Sequence, residues 1–397
     1  MPLVERGDAV ALARELVRVD SRNPALVAGA PGEGEVARVL AELLSAWGLD
    51  VEVMEVAPGR PNVLARSGDP VRGARASGRS LMLNGHLDVV GIDGMSHPPF
   101  EALERGGRLY GRGAADMKGG IAAMCAAAVR AIDAGAEGEI VVAAVADEEY
   151  ASAGTRALVA RGVRADAAVV TEPTRLAIAP AHRGFVWITV TVHGRAAHGS
   201  RYDIGVDAIR LTGLLLGELD ALDAGALRER THPLLGHASL HASLIEGGTG
   251  MSIYPDRCTL RLERRTMPGE SAEEVLTEVQ SACDRVARRR PEFSAEVAVE
   301  LAQQPSDVAV DAPIVSALAS AMESCGEVAS MVGMSAWTDA ALLNAAGIPA
   351  ICYGPGDIAL AHAAEEWVET AEIERAAATL TELALRWCAE GSREQCN

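Results

Sequence analysis

The sequence predicts an α/β protein: a central mixed, mostly parallel β-sheet sandwiched by helices, with an inserted α+β domain of ferredoxin-like topology. Three observations support this class. The 397 residues exceed the length that one compact core usually holds. Short apolar strands alternate with helices near both ends of the chain, and a different order of elements lies between them. We expect a main domain formed by residues 1–180 and 305–397, with residues 181–304 inserted.

The first 180 residues alternate between helix and strand patterns. Apolar residues recur at helical spacing over residues 8–19, 33–47 and 153–160. A further, alanine-rich helix follows the glycine-rich turn GRLYGRGAADMKGG and extends through residue 134. The predicted strands are VEVMEV, SLMLNGHLD, EIVVAAVADEE and ADAAVVTEP. Short apolar strands separated by helices indicate a sheet that is covered on both faces.

The inserted segment has its own order of elements. From FVWITVTV to FSAEVAVEL the order is β-α-β-β-α-β, as in the split βαβ unit. Ser271 and Glu274 form a capping box that fixes the start of its second helix. The earlier style then returns, with helices predicted over residues 314–322, 339–346 and 371–388 and with the strand IPAICYG.

Composition and charge exclude several functional classes. Hydrophobic residues make up 49% and charged residues 23%, which is typical of a globular rather than a disordered chain. A net charge of −19 has the wrong sign for neutralising phosphates, so we expect no nucleic-acid partner. The seven scattered cysteines predict reduced, mostly buried thiols. The sequence lacks a signal-peptide pattern and an apolar run of the length of a membrane span, so we expect a soluble cytoplasmic protein and no membrane partner.

Residues of metal-binding type stand at the ends of three predicted strands. His86 and Asp88 end SLMLNGHLD, Glu148 and Glu149 end EIVVAAVADEE, and Glu172 is near the end of ADAAVVTEP. In open α/β sheets the ligand lies beyond the carboxyl ends of the strands. We therefore expect these side chains to meet at one edge of the sheet.

Asp116 joins this group from the glycine-rich turn. Carboxylates at short range repel one another in a low-dielectric cleft, so a cluster of four or more needs a cation. Imidazole with carboxylate ligands suits zinc or a neighbouring transition metal, and two ions account for so many acids better than one. Each residue also has an ordinary alternative: His86 could be a packed histidine, Glu148 and Glu149 charges at a helix start, Glu172 a loop acid and Asp116 an N-cap. The convergence of four segments favours the metal site.

The ordered motifs resemble a known family. They are NGHLD, GRGAADMKGG, DEE, VTEPT, GRAAHG, PDRCTLRLERRTMPGE, GPG and LAH, spread from about residue 84 to residue 362. Together they resemble the dinuclear zinc amidohydrolase and metallopeptidase family of aminoacylase, acetylornithine deacetylase, succinyl-diaminopimelate desuccinylase and glutamate carboxypeptidase. The likeness covers nearly the whole chain.

The resemblance implies roles for residues of the main domain. His86 and Glu172 would bind one ion, Glu149 and His362 the other, and Asp116 would bridge both. The ions would be two divalent metals per subunit, zinc in the first place, with cobalt or manganese as alternatives.

Two further acids receive roles outside the ligand set. Asp88 would accept the imidazole N–H of His86 and so set its orientation. Glu148 would be the general base. It would take a proton from a metal-bound water molecule and so produce the metal-bridged hydroxide.

The resemblance also assigns roles to the inserted domain, as a lid and a homodimer interface. His198 would stabilise the oxyanion in the partner's site. Neighbouring residues of a strand face opposite ways, so only one of Arg264 and Arg265 should bind the substrate's free carboxylate, and the register with Pro268, Gly269 and Glu270 favours Arg265. Ser252 stands where many relatives have a substrate-binding Asn, which puts substrate preference in doubt.

The resulting functional prediction is a metal-dependent hydrolase. It would cleave the amide bond of a small N-acyl amino acid, as acetylornithine deacetylase and the desuccinylase do. A Glu at position 172 favours a deacylase, because carboxypeptidase and dipeptidase relatives often carry Asp there. A metallo-carboxypeptidase or dipeptidase is the nearest alternative, and a non-catalytic metal-binding homologue is a further one.

Overall fold

The structure, a computed structural model, describes residues 4–67 and 78–390. In chain order its helices and strands are α1 (Ala9–Val17), α2 (Gly34–Ala46), β1 (Asp50–Ala57), β2 (Arg60–Arg66), β3 (Leu81–His86), β4 (Leu103–Arg105), β5 (Arg108–Tyr110), α3 (Gly119–Asp133), β6 (Ile140–Val145), α4 (Ala153–Ala160), β7 (Ala167–Val170), β8 (Ile178–His182), β9 (Gly184–His193), α5 (Ala208–Leu222), β10 (Thr231–His232), β11 (Gly236–His237), β12 (Ser239–Gly247), β13 (Arg257–Thr266), α6 (Ala272–Arg289), β14 (Ser294–Gln303), β15 (Ser306–Asp307), α7 (Pro313–Ser324), β16 (Met331–Met334), α8 (Ala340–Ala345), β17 (Ala350–Cys352), β18 (Trp367–Glu369) and α9 (Thr370–Glu390).

The chain divides into two compact units. Unit 1 contains the described residues up to Pro180, Val308–Val332 and those from Thr338 onwards, and unit 2 contains Ala181–Asp307 and Gly333–Trp337. In the described part of the chain, none of the helices is long and apolar enough to cross a membrane.

The main sheet of unit 1 has the strand order β1-β2-β6-β3-β7-β17-β8. Its four central strands, β6, β3, β7 and β17, are parallel, while β1, β2 and β8 run antiparallel to their neighbours. Every residue of β3, β6 and β7 is buried, as expected for strands covered on both faces. The predicted α/β class with a mixed central sheet is confirmed.

Helices supply the rest of the unit 1 core. α3 packs against α1 and α9, and α4 packs against α8. α3 is buried along almost its whole length, which explains why its sequence is rich in alanine: small side chains let a helix approach its neighbours closely. The helix starts at Gly119, directly after the turn that carries Asp116.

Unit 2 is a separate two-layer module. Its strand order β12-β13-β9-β14 is antiparallel throughout, and the predicted β-α-β-β-α-β order is confirmed. Alternate residues of β9 and β13 are buried and form one core with the apolar faces of α5 and α6. The capping box is also confirmed: Ser271 Oγ accepts from the Glu274 amide, and the Glu274 carboxylate accepts from the Ser271 amide.

Several elements were not anticipated from the sequence. β2 contains Pro61 as its second residue, and β8 contains Pro180, so both strands include a residue that is unfavourable in strands. The small sheet β4-β5-β18 pairs segments that are more than 250 residues apart. Local patterning cannot reveal such pairing.

The cysteines are mostly buried free thiols, as predicted. Within the described residues, Cys325 is exposed and the other free cysteines are buried, namely Cys125, Cys258, Cys283, Cys352 and Cys388. The seventh, Cys396, lies outside the described residues.

Candidate metal centre

Three neighbouring parallel strands carry the first metal-binding candidates. His86 is the last residue of β3, Glu148 and Glu149 follow the end of β6, and Glu172 follows the end of β7. β3 pairs with β6 on one side and with β7 on the other, so these ends meet at one edge of the sheet. The structure therefore brings together the residues that the sequence placed at strand ends.

Asp116 lies between the two histidines of the cluster. Its Oδ1 is 3.0 Å from His86 Nε2, and its Oδ2 is 3.5 Å from His362 Nε2. Asp116 is nearly buried and belongs to the turn of residues 114–118, in which it has an extended backbone (φ −122°, ψ 93°) and is not an N-cap. One carboxylate with an oxygen toward each imidazole has the geometry that a bridging ligand requires.

His362 completes the group from a loop after β17. Its Nε2 is 3.0 Å from Glu149 Oε2, although the two residues are 213 positions apart. The side chain is 54% exposed, whereas that of His86 is 1% exposed. His362 also has a positive φ of 61°, which is uncommon for a residue other than glycine. The loop therefore holds His362 in a conformation that the backbone does not favour by itself.

Two groups of possible ligand atoms lie within 4.8 Å of one another: His86 with Glu148 and Glu172, and His86 with Asp116 and Glu149. Glu148, predicted as a base, thus lies as close to His86 as a ligand would, with its Oε2 4.0 Å from His86 Nε2. All these residues except Glu148 and Glu149 are buried, and those two are nearly so.

The electrostatics of the cluster favour a bound cation. Burial raises the pKa of Glu148 well above its usual value, and so does the charge of Glu172. Burial and the charge of Asp116 raise the pKa of Glu172 in the same way. Burial lowers the pKa of His86, but the hydrogen bond to Asp116 and the nearby acids outweigh it and raise that pKa well above its usual value. The cluster needs positive charge, which protons supply where a metal does not.

The donor set and its spacing fit a pair of divalent ions. Two ligand atoms at 2.0–2.1 Å from one tetrahedral zinc ion are roughly 3.3 Å apart. The separations of 3.0, 3.5 and 3.0 Å among His86, Asp116, His362 and Glu149 are close to that value. A mixture of imidazole and carboxylate ligands suits zinc and its neighbours in the transition series.

The structure corrects one detail of the role expected for Asp88. His86 Nδ1 lies 2.9 Å from the backbone carbonyl oxygen of Asp88, but 3.7 Å from the carboxylate Oδ1. The carboxylate instead accepts from the amides of Glu148 and Glu149, at 3.1 and 3.2 Å, and from Asn23 Nδ2 at 2.8 Å. Asp88 therefore orients His86 through its main chain, and its side chain supports the turn that carries the two glutamates.

Asp147 holds the same turn from the other side. It has a φ of 68°, and its carboxylate accepts from Arg60 Nη1 at 2.7 Å and from Asn23 Nδ2 at 3.1 Å. Its amide donates to the buried carboxylate of Glu33, which also accepts from Arg60. Sequence patterning missed Asn23, Glu33 and Arg60, because nothing in the sequence links them to Asp147.

Glycines allow tight packing beside Glu172. A Cβ atom added at Gly120 or at Gly354 would overlap the carbonyl oxygen of Thr171, the residue before Glu172. Gly120 is the second residue of α3, and Gly354 comes shortly after β17. Two segments thus approach the backbone of Thr171 so closely that only glycine fits.

Unit 2 contains the other predicted site residues. His198 is exposed, and its Nδ1 is 2.8 Å from Ser200 Oγ. The Gly199 amide donates to the Ser252 carbonyl at 2.7 Å, and His198 forms an isolated β-bridge with Ile253. His198 and Ser252 therefore stand on two adjoining loops.

Arg264 and Arg265 have different surroundings, as alternation along β13 predicts. Arg264 is fully buried and pairs with Glu270, Nη2 to Oε1 at 2.6 Å. The side chain of Arg265 is 30% exposed, pairs with Glu263 and lies over the ring of Phe185 at 5.4 Å. Arg264 is committed to the structure of unit 2, which leaves Arg265 as the more accessible cation of the two.

Comparison with known proteins identifies the family. The model of peptidase family M20/M25/M40 matches residues 82–386, more than three-quarters of the chain. The protein belongs to peptidase family M20/M25/M40. Its membership makes it a metal-dependent hydrolase.

Relatives of this M20 protein include enzymes that remove acyl groups. An acetylornithine deacetylase of Myxococcus xanthus is 33% identical over 80% of this chain and 83% of its own length. An N-formyl-4-amino-5-aminomethyl-2-methylpyrimidine deformylase of Halalkalibacterium halodurans is 31% identical over 86% of each chain. A Bacillus subtilis structure, described as a dinuclear metal-binding peptidase of the M20 family, superimposes with a TM-score of 0.71 at 16% identity and covers 96% of this chain and 98% of its own.

Proposed function

We propose that this M20 protein hydrolyses the amide bond of small N-acyl amino acids. The observation that carries the proposal is the position of Glu148, an almost buried carboxyl group at the edge of a donor set for two ions. The similarity to the Myxococcus xanthus acetylornithine deacetylase supports removal of an acyl group rather than cleavage of a peptide bond between two amino acids.

The ions would be held by the residues that the geometry brings together. His86 and Glu172 would bind one ion, Glu149 and His362 the other, and Asp116 both. When bound, such a pair acidifies a water molecule and polarises the scissile carbonyl group. We propose zinc as the resident metal, with cobalt or manganese able to replace it.

Glu148 would move the proton during the reaction. Burial and the charge of Glu172 raise the pKa of this carboxyl group above its usual value, which makes the ionised group a stronger base toward water. It would accept a proton from the attacking water and return it to the departing amine nitrogen as the C–N bond breaks, which leaves Glu148 ionised again. Asp88 fixes the backbone amide of Glu148 and so keeps the carboxyl group in place.

Substrate contacts are proposed for unit 2. A planar guanidinium can make two parallel bonds to a carboxylate, so Arg265 would bind the free carboxylate of the substrate. His198 would stabilise the oxyanion, and Ser252 would take the place of a longer amide side chain.

We also propose a homodimer through unit 2. β12 is an edge strand of its sheet, and its residues from His241 to Gly247 are exposed, with Leu244 55% and Ile245 53% accessible. An exposed apolar edge strand is a template for pairing with another chain. A second copy of the protein would cover it.

A substrate panel tests the proposal. N-acetyl, N-succinyl and N-formyl amino acids, dipeptides and an N-formyl aminomethylpyrimidine would be assayed with zinc, cobalt and manganese, with the Glu148→Gln variant as the blank. Release of an acyl acid from the first three supports the proposal. Preferential cleavage of dipeptides would favour the peptidase alternative, cleavage of the pyrimidine alone would replace the amino acid substrate, and hydrolysis equal to the Glu148→Gln blank would indicate a non-catalytic homologue.

A further inference from the structure

A buried ion pair outside the ligand set connects the loops of the metal centre. Arg112 Nη1 donates to Glu366 Oε2 at 2.6 Å, and the two side chains are 3% and 1% exposed. The residues are 254 positions apart, and neither belongs to the two groups of possible ligand atoms. Burying a charged pair is costly, so its presence beside this site calls for a local reason.

The remaining contacts of the pair reach three segments that carry metal-binding candidates. Glu366 Oε1 accepts from the amides of Ala115 and Asp116, at 3.0 and 3.2 Å. Arg112 Nη2 donates to the carbonyl of Ala363, next to His362, at 3.4 Å, and its Nε donates to the carbonyl of Gly91, in the loop after His86, at 2.9 Å. Each of these contacts ends on a main-chain atom: three of these atoms belong to Asp116 or to a residue next to Asp116 or His362, and the Gly91 carbonyl is five positions after His86.

The His362 loop has the greatest need for such support. His362 is half exposed and has a positive φ, whereas His86 ends one buried strand and Glu172 follows another. The gap of 3.5 Å between His362 Nε2 and Asp116 Oδ2 depends on how the His362 loop sits against the Asp116 turn. Arg112 holds the loop and Glu366 holds the turn.

We propose that Arg112 and Glu366 are positioning residues that keep His362 and Asp116 at ion-binding distance. The inference rests on the proposed function, since it concerns how the chain retains the ion that Glu149 and His362 would bind. Conserving one feature at a time separates charge from shape. In Glu366→Gln, one amide group cannot accept both from Arg112 and from the two main-chain amides, because only one of its ends accepts. In Arg112→Lys, the charge remains, but an ammonium group lacks the planar fork that reaches several acceptors.

The experiment is a titration of the ion-free protein with Zn²⁺ by calorimetry and with Co²⁺ by visible absorption. The variants are Glu366→Gln, Arg112→Lys and His362→Ala, the last as the reference for loss of one ion. We expect the wild type to bind two ions. Glu366→Gln and Arg112→Lys, the two pair variants, should bind the ion held by Glu149 and His362 about tenfold more weakly, with the affinity for the other ion unchanged. Glu366→Gln combined with His362→Ala should bind like His362→Ala alone, because both changes affect the same ion.

Controls separate positioning from general damage. Arg130→Lys changes another guanidinium that donates to a carbonyl, of Gly7, and to a carboxylate, of Glu374, both at 2.9 Å; its α3 position is about 16 Å along the helix from Gly119. It should leave both affinities unchanged. The double variant Arg112→Met/Glu366→Gln leaves no unpaired charge and keeps an acceptor for the amides. It should therefore fold even if a single variant does not. Its affinity for the ion held by Glu149 and His362 should still be weakened.

The outcomes are distinct. Wild-type affinities in both folded pair variants would overturn the inference, and so would equal weakening of both ions or an additive loss on top of His362→Ala. A wild type that binds no pair of ions would overturn the proposed function together with this inference.

Discussion

Arg60 and Asp147 form an ion pair at 2.7 Å that connects the start of β2 to the turn carrying Glu148 and Glu149. The Arg60 side chain is 15% exposed, and its other partner, Glu33, is fully buried. Asp147 has a positive φ, so this guanidinium stabilises a strained backbone directly before the proposed base. The position of Glu148 thus depends on a residue nearly 90 positions earlier in the chain.

The first prediction concerns this pair. Arg60→Lys should keep the protein folded but lower kcat by about tenfold, because one ammonium group cannot pair with Glu33 and Asp147 as the planar fork does. Arg60→Met should cost about 3–5 kcal/mol of stability, since it leaves buried carboxylates unpaired. The control is Arg66→Lys. Arg66 lies on the same strand as Arg60 and forms a partly exposed ion pair with Glu139, so this change should have little effect on stability or kcat. Denaturant unfolding and steady-state kinetics measure both effects, and an Arg60→Lys enzyme with wild-type kcat would refute the coupling.

The second prediction separates ion binding from proton transfer. Glu148→Gln keeps the shape of the side chain but cannot accept the proton, so turnover should fall by 10²-fold or more, roughly the contribution of a general base. The variant should still bind two ions, as measured by elemental analysis. If one ion is lost instead, Glu148 is a ligand rather than the base, a role that its distance of 4.0 Å to His86 would suit.

The third prediction concerns the stability of unit 2. Ser271→Ala removes the hydroxyl that accepts from the Glu274 amide at the start of α6, and should lower the free energy of unfolding by about 1 kcal/mol. Thr277→Ala, farther along the same helix and exposed, is the matched control. Equal midpoints for Ser271→Ala and the wild type in urea would mean that the cap contributes nothing.

The fourth prediction is a pH dependence. Burial lowers the pKa of His182 from 6.5 to about 4, and its Nε2 finds no hydrogen-bond partner among the described residues. Between those pH values the unfolded chain binds a proton that the folded one does not. The free energy of unfolding therefore suffers no loss from His182 above pH 6.5. As the pH drops toward 4, protonation of His182 in the unfolded chain lowers it by at most about 3 kcal/mol.

His182→Asn tests this dependence. The asparagine amide can still donate to the Arg183 carbonyl, the present partner of His182 Nδ1, but it does not titrate. Unfolding measured at pH 7 and pH 4.5 should show a smaller loss in the variant than in the wild type. The exposed His241→Asn should behave as the wild type, and an unchanged loss in His182→Asn would reject the assignment.

The fifth prediction addresses His198. His198→Ala should lower turnover much more than metal content, because the residue lies in unit 2 while the donor set lies in unit 1. If two subunits share one site, mixing this variant with Asp116→Asn should partly restore activity. Activity of the mixture no higher than that of the two variants measured separately would exclude a shared site.

The sequence predicted the residues at strand ends well. His86, Glu148, Glu149 and Glu172 lie where hydrophobic strands stop, and the order of parallel strands then brings them together without any further information. The helix start at Ser271 was equally accessible, because a cap is a local pattern.

Residues that support the site could not be predicted in this way. The pairing of Arg112 with Glu366, and of Arg60 with Asp147, joins segments that are distant along the chain, and each residue alone has the pattern of an ordinary surface charge. The same applies to His362, which only the resemblance nominated, since its loop follows no periodic pattern. The preference of His86 for the Asp88 carbonyl over its carboxylate is a matter of tenths of an ångström, which sequence cannot resolve.

The contact of Gly120 and Gly354 with the Thr171 carbonyl bears on redesign of the enzyme. Enlarging either residue would displace the main chain immediately ahead of Glu172, and repacking of neighbouring side chains cannot relieve a clash with backbone. Libraries aimed at a changed substrate preference should therefore leave both glycines untouched.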